Sequence, residues 1–244
     1  MTLLEALSRR MHGMRGGVLG PGAGKVEPPP VDRDYGAQWV PTDETEAMDQ
    51  ILNISDPEAF EAAGHHDAEH VIGPLVQRTD AVLDLGCGIG RVTRYVAPLC
   101  REIWAVDVSE TMLDMARRRL AGLPNVRFVL GDGASLPGVL SEGIDVVYSF
   151  LTLQHVEREH AFLLLREVRR VLRAGGVAYL TFPNLLSDVY LGAFVQYAES
   201  GEVRNPARAR FYTPEEVRQI LTAAGLEVEQ LDAGVEILVT CRKA

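Results

Sequence analysis

Residues Ala81 to Arg91 read AVLDLGCGIGR, and this stretch limits what the chain can fold into more than any other. Val82-Leu83-Asp84-Leu85 is a short apolar run of the length and composition of a buried strand. Gly86, Gly88 and Gly90 follow almost at once, and Val92 and Tyr95 then recur at helical spacing. Strand, tight turn and helix in that order form the first half of an α/β nucleotide-binding unit. The glycines suit such a turn because it needs backbone conformations that other residues avoid, and because a ligand must approach bare main chain. The start of the helix then offers unpaired N–H groups to that ligand. The spacing is not that of a dinucleotide site, which wants G-x-G-x-x-G, because Gly90 lies only two positions after Gly88.

The next apolar run, Ile103-Trp104-Ala105-Val106, ends in Asp107, about twenty residues past the first glycine. A carboxylate at the end of a second strand can accept two hydrogen bonds from a ribose diol. VLDLGCGIGR followed by VDVSETML resembles the class I S-adenosylmethionine-dependent methyltransferases, and within them the broad small-molecule branch. The likeness runs from about Val71 to Cys241. It implies an α/β, Rossmann-like, doubly wound fold: a mostly parallel seven-stranded sheet with an antiparallel last strand, flanked by helices. It also implies S-adenosyl-L-methionine as the cofactor. The residues expected to hold it are Asp84, Gly86, Cys87, Gly88, Gly90, Asp107, Val108, Met112, Asp132, Gly133, Ala134 and Ser149. The resemblance gives Asp132 to the adenine amino group, a donor that a carboxylate can accept. In the family pattern a small non-glycine residue follows this acid directly. Gly133 intervenes here, which leaves open whether its own N–H or that of Ala134 meets a ring nitrogen.

Composition narrows the partners. With 244 residues the chain can build one α/β domain with a generous core and a small lid. A formal net charge of −10 repels a phosphate backbone, so no nucleic-acid partner is expected. The three cysteines, Cys87, Cys100 and Cys241, are odd in number and scattered, which fits a reducing compartment better than a disulfide framework. No metal-ligand spacing joins them, and no metal site is expected. Neither a secretory h-region nor a membrane-spanning apolar run is present in the sequence, so the expected place is cytoplasmic, with no membrane partner. Only Lys25 and Lys243 are lysines among the 24 basic residues, a composition that leans toward a GC-rich, bacterial gene.

The expected organisation is a flexible N-terminal arm over residues 1–40, then a methyltransferase domain over 41–244 with a lid insertion at about 184–212. Residues 2–12 can form a short amphipathic helix, and the glycine- and proline-rich run 13–34 reads as mobile or extended. Gly24-Lys25 only superficially resembles the end of a phosphate loop, because Leu19 and Val26 stand where a glycine and a hydroxyl residue belong. The arm either packs on the surface or folds over the substrate pocket, with Tyr35 and Trp39 as anchors. Asp43 to Met48 and Asp56 to Ala63 read as helices. A junction at Gly64-His65-His66-Asp67 is expected before a further helix, and it makes His65 and His66 candidates for the methionine end of the cofactor. Arg91 either pairs with the cofactor carboxylate or lies on the surface, and Arg117-Arg118-Arg119 reads as a solvated helix end.

Past the fourth strand, Ile144 to Ser149, the family places the transferred methyl. The chain lacks an Asn/Asp-Pro-Pro-Tyr sequence there, which argues against amino methylation of DNA bases or protein glutamine. His155 is the candidate general base, because imidazole titrates near neutral pH; the other reading is an inert turn histidine. A helix over Glu159 to Arg173 is expected to turn Phe162, Leu163, Leu165, Val168, Val171 and Leu172 inward. The insertion carries Tyr190 and Phe194, with Phe211 at its far edge. Together with Trp39 these are the candidate substrate-binding residues, unless they only pack a small core of their own. Two closing strands joined through Asp232-Ala233-Gly234 must be antiparallel. The expected activity is methyl transfer from S-adenosylmethionine to an oxygen, nitrogen or carbon nucleophile of a small-molecule acceptor. The alternatives are a protein that binds S-adenosylmethionine without transfer, or an NAD-dependent oxidoreductase. The sequence does not fix an oligomeric state.

Overall fold

In a computed structural model the described residues are 33–201 and 208–243. The expected helix over 2–12 and nearly all of the glycine- and proline-rich run lie outside them. Seven strands form one sheet: β1 (Ala81–Leu85), β2 (Glu102–Asp107), β3 (Val126–Leu130), β4 (Ile144–Ser149), β5 (Leu172–Pro183), β6 (Leu226–Ala233) and β7 (Glu236–Lys243). Their order is β3-β2-β1-β4-β5-β7-β6. The first five strands pair in parallel, and β7 runs against both β5 and β6. This is the doubly wound sheet with an antiparallel last strand that the resemblance implies. Strand order reverses between β1 and β4, so the loops leaving those two strands diverge and open a crevice over their C-terminal ends.

The strand β1 shows why this stretch dominates the sequence. All five of its residues are buried, and successive side chains point to opposite faces. Ala81, Leu83 and Leu85 join the larger core on one face. Helix α5 (Arg158–Val171) and helix α7 (Pro214–Ala223) cover that face, burying Leu164, Leu165, Val168, Val217 and Leu221. Val82 turns to the other face, among Ile72, Val92, Val96 and Tyr148. Helix α7 starts with a full capping box between Thr213 and Glu216 and has Pro214 in its first turn. Leu165, Val168, Val171 and Leu172 are buried as expected, whereas Phe162 and Leu163 are only half-buried and Ala161 and Leu164 take the inward places beside them.

The N-terminal elements differ from the expectation in one respect. Helix α1 (Glu44–Leu52) is capped by Asp43, and α2 (Pro57–Asp67) by Asp56. Instead of a junction at Gly64, α2 runs through it and continues into a π-turn over Ala68–Ile72. Gly64 lies against the Arg91 carbonyl, so the glycine serves close helix packing, not a break. His65 and His66 therefore ride on an exposed helix face, where His65 meets Tyr95 edge-on and His66 stacks on His70.

Helix α3 is a short segment, Thr93–Val96. Ahead of it, Arg91 is buried and pairs with Asp67 at 2.6 Å, so it neither reaches the cleft nor lies on the surface. Helix α4 (Glu110–Arg119) ends in the arginine run, but only part of that run is solvated. Arg119 is mostly buried, donates to the Ile89 carbonyl and is paired with Glu44 and Glu61. Helix α6 (Asp188–Ser200) leaves the end of β5, is capped by Ser187 and has no fully buried residue. No helix among the described residues is long and apolar enough to cross a membrane.

A buried ion pair is tested by removing one end. Asp67→Ala should cost about 3 kcal/mol because it leaves the Arg91 guanidinium buried and unpaired, whereas Asp67→Ala with Arg91→Met should recover much of that loss. Urea unfolding of the three proteins checks it, and equal midpoints for the single and double variants would contradict the pairing.

Candidate active site

The cleft at the switch point has a free volume of about 820 Å³, its open mouth included. Its floor begins where β1 ends. The N–H groups of Gly86 and Cys87 both donate to the Val106 carbonyl, at 2.8 and 2.9 Å, which folds the turn back onto β2. Gly86 has φ +79°, and a side chain there would strike Thr152 as well as strain the backbone. Gly88, at φ +54°, lies beneath Ile51. A bare main-chain surface results, bounded by β1, β2 and the loop after β4.

Asp107 closes β2 at the edge of this surface. Its Oδ2 accepts from Gly88 N–H at 2.8 Å and its Oδ1 from Ser109 N–H at 2.9 Å. Burial raises the Asp107 pKa, against the backbone N–H donors of Ser109, Gly88 and Val108. Ser109 caps α4 through Met112 N–H and donates its hydroxyl hydrogen to the Trp39 carbonyl. The second wall is Phe150-Leu151-Thr152 and the turn Leu153–His155 after β4. Leu151 sits in left-handed backbone at φ +53°, an uncommon state for a residue with a side chain. Its N–H donates to Thr181 Oγ1 on β5 at 2.9 Å, which holds the turn in that state.

Residues Arg33 to Val40 run over the cleft as a strap. The Tyr35 ring packs on Gly133, and Gly36 fits against the Val108 carbonyl where a side chain could not. The Tyr35 hydroxyl lies 2.6 Å from His160 Nδ1 and accepts from Glu157 N–H. Trp39 meets His155 edge-on, ring centres 4.8 Å apart. Arg33 pairs with Glu157, which also binds Arg210. The Arg210 guanidinium holds the Glu157 carboxyl below its usual range, against the effect of burial.

Of the candidate residues, the fold brings Gly86, Gly88, Asp107, Val108, Met112, Gly133, Trp39 and His155 to the wall of one cleft. Others lie behind it. Asp84 is buried and accepts from Thr93 Oγ1 at 2.5 Å and Tyr148 OH at 2.8 Å. Cys87 packs with Ala105 and Leu113. A side chain at Gly90 would strike Leu120, and the Ser149 hydroxyl donates to the Leu85 carbonyl at 2.9 Å. Asp132 accepts from Ala134 N–H, Ser135 N–H and the Ser135 hydroxyl, so it shapes the loop after β3 from an exposed position. Tyr190, Phe194 and Phe211 gather away from the cleft wall. Tyr190 and Phe194 pack with Tyr197 around Phe211, and Tyr190 also donates to Glu236. Gln50, Ile51, Phe150, Leu151 and Thr152 line the cleft without having been singled out in the sequence. Position directly after β4 was a usable signal for the last three; nothing local marked Gln50. The three cysteines are free and buried, and burial pushes Cys100 up to about 11 and Cys241 to about 12, so none is an ionised nucleophile at neutral pH. Among the described residues no group of three or more His, Cys, Asp or Glu is placed to share a metal ion.

A glycine-floored crevice at a strand-order reversal, with an acid closing β2, defines a nucleoside-binding α/β domain. Residues 82–176 match a family model described as a methyltransferase domain. A malonyl-[acyl-carrier protein] O-methyltransferase of Salmonella typhimurium is 33% identical over 154 residues, 62% of this chain and 56% of that one. A probable S-adenosylmethionine-dependent methyltransferase of Mycolicibacterium smegmatis is 30% identical over 149 residues, 61% of this chain and 52% of that one. The solved structure of the YcgJ protein of Bacillus subtilis superposes with a TM-score of 0.60 at 20% identity, over 73% of this chain and 98% of that one, and shows the fold. The chain spans about half the length of the two curated relatives. Residues 82–176 thus carry a methyltransferase domain, and the relatives it resembles include S-adenosylmethionine-dependent methyltransferases, whose cofactor is S-adenosylmethionine.

Burial of Asp84 among apolar neighbours pushes its pKa up to about 6, while Thr93 and Tyr148 hydrogen bonds work the other way. From about pH 4 to 6 the folded chain keeps a proton that the unfolded chain has released. The contribution of this group to stability therefore falls as pH rises through that window, and the full cost of its charge stands above it. Asp84→Asn should flatten this part of the stability profile, with the difference from the parent changing by about 3 kcal/mol. Parallel urea midpoints for the two proteins between pH 4 and 7 would disprove the assignment.

Proposed function

We propose that this chain transfers a methyl group from S-adenosylmethionine to a small-molecule acceptor. The observation that carries the reading is the Asp107 carboxylate, fastened at the lip of the cleft by Gly88 and Ser109 N–H groups. Two N–H donors leave further lone pairs on its oxygens, which suits a ribose diol. The cradle fits the rest of the group: Gly86 and Gly88 leave main chain bare where an amino-acid chain would lie, and Gly131, Gly133 and Ser135 edge the place of a base. Asp132 contributes by holding the loop that carries those three residues.

Bound there, S-adenosylmethionine supplies a methyl carbon to which the acceptor's lone pair bonds while the carbon–sulfur electron pair stays on sulfur, leaving S-adenosylhomocysteine. The residues of the chain do the remaining work. Tyr35, Trp39 and the strap that carries them exclude water from one side, and Phe150, Leu151 and Val156 do so from the other. Leu151 and Thr152 fix the wall against which the acceptor is aligned. His155 stands at the cleft wall beside Trp39, and its ring is the group that receives the proton that a hydroxyl or ammonium acceptor gives up.

Calorimetric titration with S-adenosylhomocysteine, beside NADH as control, tests the binding half. Micromolar affinity for the former alone is expected, and binding of NADH instead would overturn the reading. Asp107→Ala should weaken S-adenosylhomocysteine binding by about 1.5–3 kcal/mol; unchanged affinity in the folded variant would remove the ribose assignment. His155→Ala should lower kcat by about a hundredfold while leaving S-adenosylhomocysteine affinity in place. An unaltered kcat would show that acceptor deprotonation is not its task.

A further inference from the structure

We propose that the methyl acceptor is a flat, ring-bearing molecule, uncharged or cationic, that gives a hydrogen bond from an N–H or O–H group to Gln50. The inference rests on the methyl-transfer reading and names the class of molecule that this same cleft takes. Gln50 lies in α1, one residue before the Ile51 that covers Gly88, and both line the cleft. Its Nε2 donates to Glu46 Oε1 one turn back along the helix, and this turns the amide so that Oε1 faces inward. That oxygen is buried and accepts no hydrogen bond. Buried polar atoms in folded proteins are nearly always paired, and an unpaired one in a binding cleft marks the place of a ligand's complementary group. An amide oxygen calls for a donor.

The surroundings define the rest of the ligand. Trp39 and Phe150 bring aromatic rings, and Ile51, Leu151 and Val156 bring branched aliphatic side chains, a lining suited to a planar apolar body. The charge on the wall is negative. Asp107 brings a carboxylate, and neither Lys nor Arg stands beside it among the described lining residues. Glu46 lies directly behind Gln50, and hydrogen bonds from the Thr42 N–H and hydroxyl hold its carboxyl below the usual range, so it is ionised at neutral pH. The nearby guanidinium groups are paired, Arg33 and Arg210 with Glu157, and Arg91, which lies over the Phe150 ring, with Asp67. An ammonium group is favoured by this field and by the neighbouring Trp39 ring, whereas a carboxylate or phosphate is opposed by it.

Three ligands sharing a phenol ring separate these requirements: p-cresol is neutral, tyramine is cationic and 4-hydroxyphenylacetate is anionic. Each is titrated calorimetrically into protein already saturated with S-adenosylhomocysteine, in the parent and in Gln50→Leu. Tyramine and p-cresol should bind, and 4-hydroxyphenylacetate should bind about tenfold more weakly or worse. Gln50→Leu should weaken the first two by about tenfold and leave the S-adenosylhomocysteine Kd unchanged. Equal or tighter binding of the anion, or no binding by any of the three, would overturn the proposal. So would a Gln50→Leu variant that loses S-adenosylhomocysteine affinity instead, since Gln50 would then belong to the cofactor. Failure of the first titration, before any ring compound is added, would overturn the methyl-transfer reading and not the acceptor class.

Discussion

The site depends on one carboxylate held between two turns. Asp107 accepts from Gly88 N–H on one side and Ser109 N–H on the other, so the loop after β1 and the start of α4 are fixed to the same group. That bridge gives the glycine turn direction at Gly88, because glycine itself gives freedom and not direction. The turn's other fastening, from Gly86 and Cys87 N–H to the Val106 carbonyl, ends on the residue just before Asp107. The end of β2 therefore orders the end of β1, and the cleft takes its shape from a contact made across the sheet.

Every other wall is referred to that pair of strands. Thr152, after β4, occupies the space that the missing side chain of Gly86 leaves. Ser109, whose N–H binds Asp107, uses its hydroxyl to tie down Trp39, and Trp39 in turn meets His155. Two segments far apart in sequence, the strap Arg33 to Val40 and the turn after β4, thus close on one another through groups that α4 and β1 position. Charge reinforces the closure at its outer end, where Glu157 gathers both Arg33 and Arg210.

Most of the sheet was legible because its signals are local. An all-buried β1, an acid at the end of β2 and a tight closing hairpin each follow from residue type and spacing alone. The features that were not legible depend on contacts across the fold. Arg91 looked available to a ligand until α2 brought Asp67 beside it, and Gly64 looked like a helix break until the Arg91 carbonyl explained its lack of a side chain. In the site, Asp107, Gly86 and Gly88 were readable from the motif. The separation of Tyr190, Phe194 and Phe211 from the cleft was not, because an aromatic residue looks the same in sequence whether it meets a ligand or another ring. Gln50 gave no sign either, since an unpaired buried oxygen exists only once the chain around it is folded.

The antiparallel end of the sheet bears on how copies of the chain meet. Because β7 inserts between β5 and β6, the outer edge on that side is β6, which pairs with no further strand among the described residues. Glu227 and Asp232 stand exposed along it, and Glu229 is paired with Arg242 of β7. A second chain offering the same strand would set carboxylates against carboxylates, which opposes edge-to-edge pairing of two such sheets.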